Sequence, residues 1–243
     1  MFHFDKNFGL FIGKISDNRF HKHYALQISI STTLEMTLSI KEGRDIRGKS
    51  FFINSKVEHK LISSTDQLTI LINPLCAIGH QLFLKFEKSK SYHLDDELAI
   101  KLVEVLKEFK NENITFQTLC NLVLKILEQY QCTCQLENHL QDDRIMKALE
   151  IIEANFEKVY SLEEIAGLCF LSPSRFLHLF KEKTGLNFRR YQLWNKVIKS
   201  LPYLQKNLIA DTAVAFGFSD NSHYTRTFIE TFGVTPKFFL SKH

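Results

Sequence analysis

Arg226 and Asn221 carry side chains that can form paired hydrogen bonds with base edges, the guanidinium with guanine and the amide with adenine. Both lie in the run Leu208 to Gly233, which ends G-F-S-D-N-S-H-Y-T-R-T-F-I-E-T-F-G. An earlier run, Ser161 to Gly185, reads S-L-E-E-I-A-G-L-C-F-L-S-P-S-R-F-L-H-L-F-K-E-K-T-G and holds Arg175, His178 and Lys181. Each run has the pattern of two short helices with a turn between them, the second of which fits the DNA major groove. Two such units on one chain can read adjacent grooves without a dimer. His178 can donate to guanine, touch a phosphate or stand exposed, and Arg175 can instead pair with an acidic neighbour such as Glu182.

Those side chains need elements that aim them. Ser161 and Glu164 form an S-x-x-E capping box that starts one helix. Ser172 is a good N-cap and Pro173 suits the first helical position, so a second helix starts there. Phe176, Leu179 and Phe180 then face inward, which leaves Ser174, Arg175, Leu177, His178 and Lys181 outward, and Gly185 stops the helix. A long helix over about 188–205 carries the stripe Tyr191, Trp194, Ile198 and Leu201, with positive charge from Arg189, Arg190, Lys196 and Lys199. Pro202 inside it removes a hydrogen bond and should kink or end it. In the second unit Phe216-Gly-Phe218 is the turn, and Ser219 or Asp220 caps the reading helix. Tyr224, Phe228 and Phe232 pack inward, leaving Asn221, Ser222, His223, Thr225 and Arg226 outward. A further amphipathic helix over Asp142–Phe156 precedes both units.

The charge follows the same division. From Phe170 to His243 there are eleven Lys/Arg and four Asp/Glu, whereas the other 169 residues hold twenty and twenty-three. A basic surplus there fits a phosphate-binding surface, and equally a solvated basic face. At 243 residues two domains are expected. Five irregularly spaced cysteines argue against a disulfide framework and for a reducing cytoplasm. No apolar run is long enough to span a membrane, and Met1-Phe-His-Phe-Asp does not read as a signal peptide. No Gly-rich phosphate loop or G-x-S-x-G turn is present, so no catalytic residues are assigned.

Residues 1 to about 88 read as strands separated by the turn signals Lys41-Glu-Gly-Arg-Asp and Ser63-Ser-Thr-Asp, which suggests a small β-barrel or sandwich. The period then becomes helical, through Leu98, Leu102, Val105, Leu106 and Phe109 behind Asp95 and Asp96, and again over about Thr115–Tyr130. This helical hairpin over 95–130 can cap the β-domain or form a homodimer seam. Residues 131–141 are polar and read as a linker.

The C-terminal residues, about 143 to 240, resemble the AraC-type transcription regulators. F-K-E-K-T-G, G-F-S-D-N-S-H-Y-T-R-T-F and F-G-V-T-P carry the resemblance. It implies a seven-helix domain over 142–243, with two helix-turn-helix units joined by the long helix. It places base contacts on Ser174, Arg175, His178, Asn221, Ser222 and Arg226, and phosphate contacts on Lys181 and Thr225. Lys196 stands where the family usually has Arg, and Thr212 where an aliphatic residue is usual. The spacing of the reading helices, near one DNA turn of about 34 Å, depends on the helix that Pro202 interrupts.

Many relatives of this kind carry an N-terminal cupin-like β-barrel, and residues 1–130 look like one. His21-Lys-His23 and His59 are similar to the cupin histidine layout, yet Tyr24 to Ser31 holds no carboxylate. The three are read as strand or effector-pocket histidines, with no metal and no cofactor assigned. Cys132, Cys134 and His139 lack an evident fourth ligand and are read as linker residues.

The expected fold is therefore α+β with two domains: a cupin-like barrel with a helical hairpin, then an all-α DNA-binding domain. The expected function is sequence-specific transcription regulation in the cytoplasm. The expected partners are double-stranded DNA, a small-molecule effector at the N-terminal domain, a second copy through 95–130, and RNA polymerase for an activator. The alternative is a cupin-type metal-binding enzyme with an appended helix-turn-helix module.

Overall fold

The computed structural model describes residues 1–4, 7–86, 90–94, 96–130, 142–155 and 158–240. The linker, the Cys132/Cys134/His139 group, Asp95 and Phe156 lie outside the described residues. The chain divides into two compact units, Met1–Cys132 with Phe228–His243, and Thr133–Thr227.

Among the described residues the first unit is built on nine antiparallel strands: β1 Phe2–Phe4, β2 Phe8–Gly13, β3 Leu26–Ile30, β4 Met36–Ile40, β5 Asp45–Gly48, β6 Ser50–Ile53, β7 His59–Ile62, β8 Gln67–Ile72 and β9 Ser91–His93. They form a six-stranded sheet, β1-β2-β8-β3-β6-β9, and a three-stranded sheet, β5-β4-β7. The two sheets do not close into a barrel among the described residues. Among the described residues, the isolated bridge between His21 and His59 links the segment ahead of β3 to β7. An apolar cluster of Met36, Leu38, Phe51, Ile53 and Leu61 packs the small sheet against β6.

The two-residue period of the strands sorts their side chains. Ile28 pairs with Ile70, and Ser29 with Thr69. Leu26, Ile28, Ile30, Leu68, Ile70 and Ile72 join one core with Leu98, Leu102 and Leu106 of α2 (Glu97–Lys110) and Leu119, Val123 and Leu127 of α3 (Phe116–Glu128). The hairpin's apolar faces therefore cover the large sheet. Gln27, Ser29 and Thr69 point to the other face, where their side chains form a hydrogen-bonded row.

One expectation for this region fails. Residues 77–86 form a helix, α1 Ala77–Phe86, rather than continuing the strands. Ile78, Leu82 and Phe86 lie four residues apart and all enter the same core, which is a helical spacing that ten residues were too few to reveal.

The second unit holds α4 Asp143–Ala154, α5 Leu162–Leu168, α6 Pro173–Thr184, α7 Phe188–Leu204, α8 Ile209–Ala215 and the start of α9 Asn221–Phe232. The last turn of α9 and α10 Pro236–Leu240 are counted with the first unit. The local signals act as anticipated. Ser161 and Glu164 form the capping box. Ser172 accepts from the Arg175 N–H, with Pro173 in the first turn. Gly185 ends α6 in a left-handed conformation, φ 67°. Pro202 does not break α7, which runs two residues further and stops at Leu204. The missing N–H costs one bond, the one the Ile198 carbonyl four residues earlier would have accepted.

Lys199 departs from its expected role as surface charge. It is buried, and its Nζ donates to the carbonyls of Ile152, Asn155 and Lys158 at 3.0, 2.8 and 2.8 Å. The first two are acceptors at the C-terminal end of α4, where a cation also complements the helix dipole, and the third lies in the chain that follows it. Lys199→Met keeps the aliphatic stem and strips that cap. We expect a loss of about 2–4 kcal/mol in unfolding free energy, read by denaturant titration of the full chain.

Candidate nucleic-acid interface

The long helix α7 packs against α6 and meets the start of α9. At its N-terminal end Phe188 packs edge-on against Phe176 and Phe180 of α6, at centroid distances of 4.8 and 5.1 Å, and Tyr191 adds a contact to Phe180 at 5.6 Å. Near its other end the buried Ser200 Oγ lies 2.9 Å from the Tyr224 hydroxyl of α9. Tyr224 also meets Phe218 of the preceding turn at 5.0 Å. Burial drives the Tyr224 phenol up to about 12, so it stays a neutral hydrogen-bonding group.

Lys196, in place of the usual Arg, donates to the Gly217 carbonyl at 2.7 Å and lies over the Phe218 ring. It ties α7 to the turn of the second unit, and burial lowers its pKa. The positive charge expected of Lys196 is thus directed at that turn. Thr212 is fully buried in a position that favours aliphatic residues, and its hydroxyl is satisfied by donating to the Leu208 carbonyl at 2.9 Å.

With the apolar faces of α6 and α9 turned inward, the remaining faces are those the sequence indicated. Ser174, Arg175, His178 and Lys181 are exposed on α6, and Asn221, Ser222 and Arg226 on α9, with Thr225 half-buried. Arg175, Lys181 and Arg226 have no ion-pair partner among the described residues; Glu182 instead lies near Lys183 and His178, at 3.3 and 3.8 Å. Thr225 Oγ1 lies 3.5 Å from Asn221 Oδ1. Asp220, not Ser219, caps α9: its carboxylate accepts from the His223 N–H at 2.7 Å, and that bond holds its pKa below the usual range. The acid is thereby spent on the helix end and stabilises its positive pole.

The first unit holds a second polar cluster. His21, His23 and His59 are buried, and their potential ligand atoms lie within 4.8 Å of one another. A cavity of about 50 Å³ opens beside them, bordered by His21, His23, Gln27, Phe4, Phe11 and Leu61. Desolvation is the largest cause of a lowered pKa in all three; for His21 the value falls to about 3, with His23 also contributing repulsion. All three rings are therefore neutral near pH 7. Sequence reasoning missed Gln27 as a member of this cluster. Its signal was present, since Gln27 stands four residues after His23, within the stretch where the cupin layout carries a carboxylate.

Residues 165–242 match a family described as "Helix-turn-helix domain". The probable transcriptional regulator LumQ of Photobacterium leiognathi is 24% identical over 230 residues, covering 89% of this chain and 90% of that protein. The regulatory protein PocR of Salmonella typhimurium is 32% identical over 98 residues, covering 40% of this chain and 32% of its own length. Among solved structures, an apo ToxT point variant from Vibrio cholerae superposes with a TM-score of 0.63 at 15% identity, covering 96% of this chain and 97% of that one. The unsaturated fatty acid-bound wild-type ToxT superposes with a TM-score of 0.56 at 15% identity, covering 99% and 97%. No helix among the described residues is long and apolar enough to cross a membrane.

Proposed function

We propose that this chain, whose C-terminal part is a helix-turn-helix domain of the AraC type, is a sequence-specific DNA-binding transcription regulator. The observation that carries the reading is that α6 and α9 are both fastened to α7 while Arg175, Lys181 and Arg226 stay exposed, with no ion pair among the described residues. Arg226 and Asn221 are assigned to base edges on α9, with Ser222 beside them. Ser174, Arg175 and His178 take that role on α6, and Lys181 and Thr225 hold phosphates. The module so defined spans 142–243, with 131–141 as the linker to 1–130.

The N-terminal unit sets activity through a small-molecule effector, which must bind two arrangements of the protein with unequal affinity. The fatty acid-bound ToxT structure and the largely apolar cavity of the first unit support an effector of apolar character. A homodimer through 95–130 would use the outer face of the hairpin, where Ile100 and Leu122 are exposed, because the inner face is spent on the sheet. RNA polymerase is the further partner if the protein activates, and the cytoplasm is its expected compartment.

Recovery of bound genomic fragments, footprinting of one site and a salt titration test the proposal. With about 4–8 phosphates neutralised, the logarithm of affinity should fall with the logarithm of salt with a slope of about −4 to −7. Failure to retain any fragment, or retention indifferent to salt, contradicts the reading.

A further inference from the structure

The three buried histidines share a feature that ordinary pocket histidines need not have. Each Nδ1 lies 2.9 Å from a backbone carbonyl: His21 from that of Arg19, His23 from that of Ala25, and His59 from that of Val57. A carbonyl oxygen only accepts, so each Nδ1 carries the ring proton. A neutral imidazole has one such proton, and every Nε2 is therefore left with a bare lone pair. This is the arrangement in which backbone carbonyls orient metal-ligating histidines and fix their tautomer.

The cluster is held by long-range pairing rather than by a single flexible loop. His21 N–H donates to the His59 carbonyl, and His59 N–H to the His21 carbonyl, both at 2.9 Å. Ring centroids stand 4.4 Å apart for His21 and His59, 5.7 Å for His21 and His23, and 5.4 Å for His23 and His59. Gln27 Oε1 lies 3.0 Å from His23 Nε2 and 3.2 Å from His59 Nε2, while its amide nitrogen donates to Ser29 Oγ at 3.0 Å. In this orientation oxygen and nitrogen lone pairs face each other with no proton between them. A cation among them removes that conflict; without one, the amide must turn to donate to the two rings.

We infer that His21, His23 and His59 bind one divalent first-row transition metal ion through their Nε2 atoms, with Gln27 Oε1 as a fourth ligand. Three neutral imidazoles and one amide oxygen, with no thiolate, suit zinc, iron(II), cobalt(II) or nickel(II) better than calcium or magnesium. The ion would also order the segment that receives the end of the second reading helix. Arg19 N–H donates to the Gly233 carbonyl at 3.0 Å, and Lys22 N–H to that of Glu230 at 3.2 Å, all within the first unit.

This inference stands apart from the DNA-binding reading, and its test uses no DNA. The full chain is stripped with a chelator and titrated with cobalt(II), then with zinc(II) as competitor. One cobalt per chain is expected, with visible d–d bands that zinc abolishes and a raised unfolding midpoint. His59→Gln and His23→Gln should each weaken binding at least 100-fold, whereas His3→Ala should bind like the wild type. A variant counts only when its metal-free unfolding midpoint matches that of the metal-free wild type, and either one suffices. Absence of stoichiometric cobalt in the wild type overturns the inference, as does unchanged binding in a folded variant.

Discussion

Replacing Arg175 and Arg226 together by alanine should weaken binding to the specific site by about 2–6 kcal/mol, from roughly 30-fold to 10⁴-fold in Kd. Each arginine is assigned one bidentate base contact, worth about 1–3 kcal/mol of discrimination. The two lie on separate helices and share no partner among the described residues, so their effects should add. Both side chains are exposed, and the thermal midpoint should hardly move. Fluorescence anisotropy with the footprinted site and a scrambled duplex separates the outcomes. A large loss on the specific duplex with a smaller one on the scrambled duplex marks base reading. Equal losses on both would demote the arginines to phosphate contacts. Unchanged binding to both would mean that these helix faces serve another partner.

Gly233→Ala should lower the unfolding free energy by about 2–5 kcal/mol, combining the cost of a left-handed alanine with that of overpacking. Gly233 follows α9 with φ 71°, and a Cβ built on it falls 1.7 Å from Asn18 Oδ1, 2.6 Å from His21 Nδ1 and 2.7 Å from the Arg19 carbonyl. The neighbours in this clash are fixed: Asn18 Nδ2 donates to the Leu61 carbonyl at 3.3 Å, and Arg19 N–H to Gly233 itself. Space can be made only by moving the 18–21 segment away from the chain that follows α9. Denaturant unfolding of the full chain measures the loss. A stability change below about 1 kcal/mol, ordinary for an unstrained surface site, would show that the segment yields freely.

The outward faces of α6 and α9 were legible because helix rules act over three or four residues. Ser161 with Glu164, Ser172 with Pro173, and Gly185 each mark a boundary from their own neighbourhood. Once the boundaries of α6 are known, the inward phenylalanines assign the outward arginine, histidine and lysine by period alone. The strand-rich character of residues 1–72 was legible from runs that alternate or are continuously apolar, as in the stretches of β3, β4 and β8. Helix α1 was not, since a ten-residue apolar stretch after a run of strands gives too short a pattern to separate the two periods.

Lys199 shows where local reasoning ends. Its type and its place on a basic helix suggest solvent, but three carbonyls 41 to 47 residues earlier in the chain capture it. The histidine cluster obeys the same limit, because His59 reaches Gln27 across 32 residues of sequence. The amino-acid order by itself determined the helices of the C-terminal part and which side chains of α6 and α9 face outward, since both depend on neighbours within one or two turns. Only the tertiary structure decided that the strands make two sheets instead of a closed barrel, that the hairpin is spent on covering one of them, and that three histidines bring ring nitrogens within 4.8 Å of one another. Each of those outcomes rests on contacts between residues far apart along the chain, and no periodicity records which distant partner a side chain will meet.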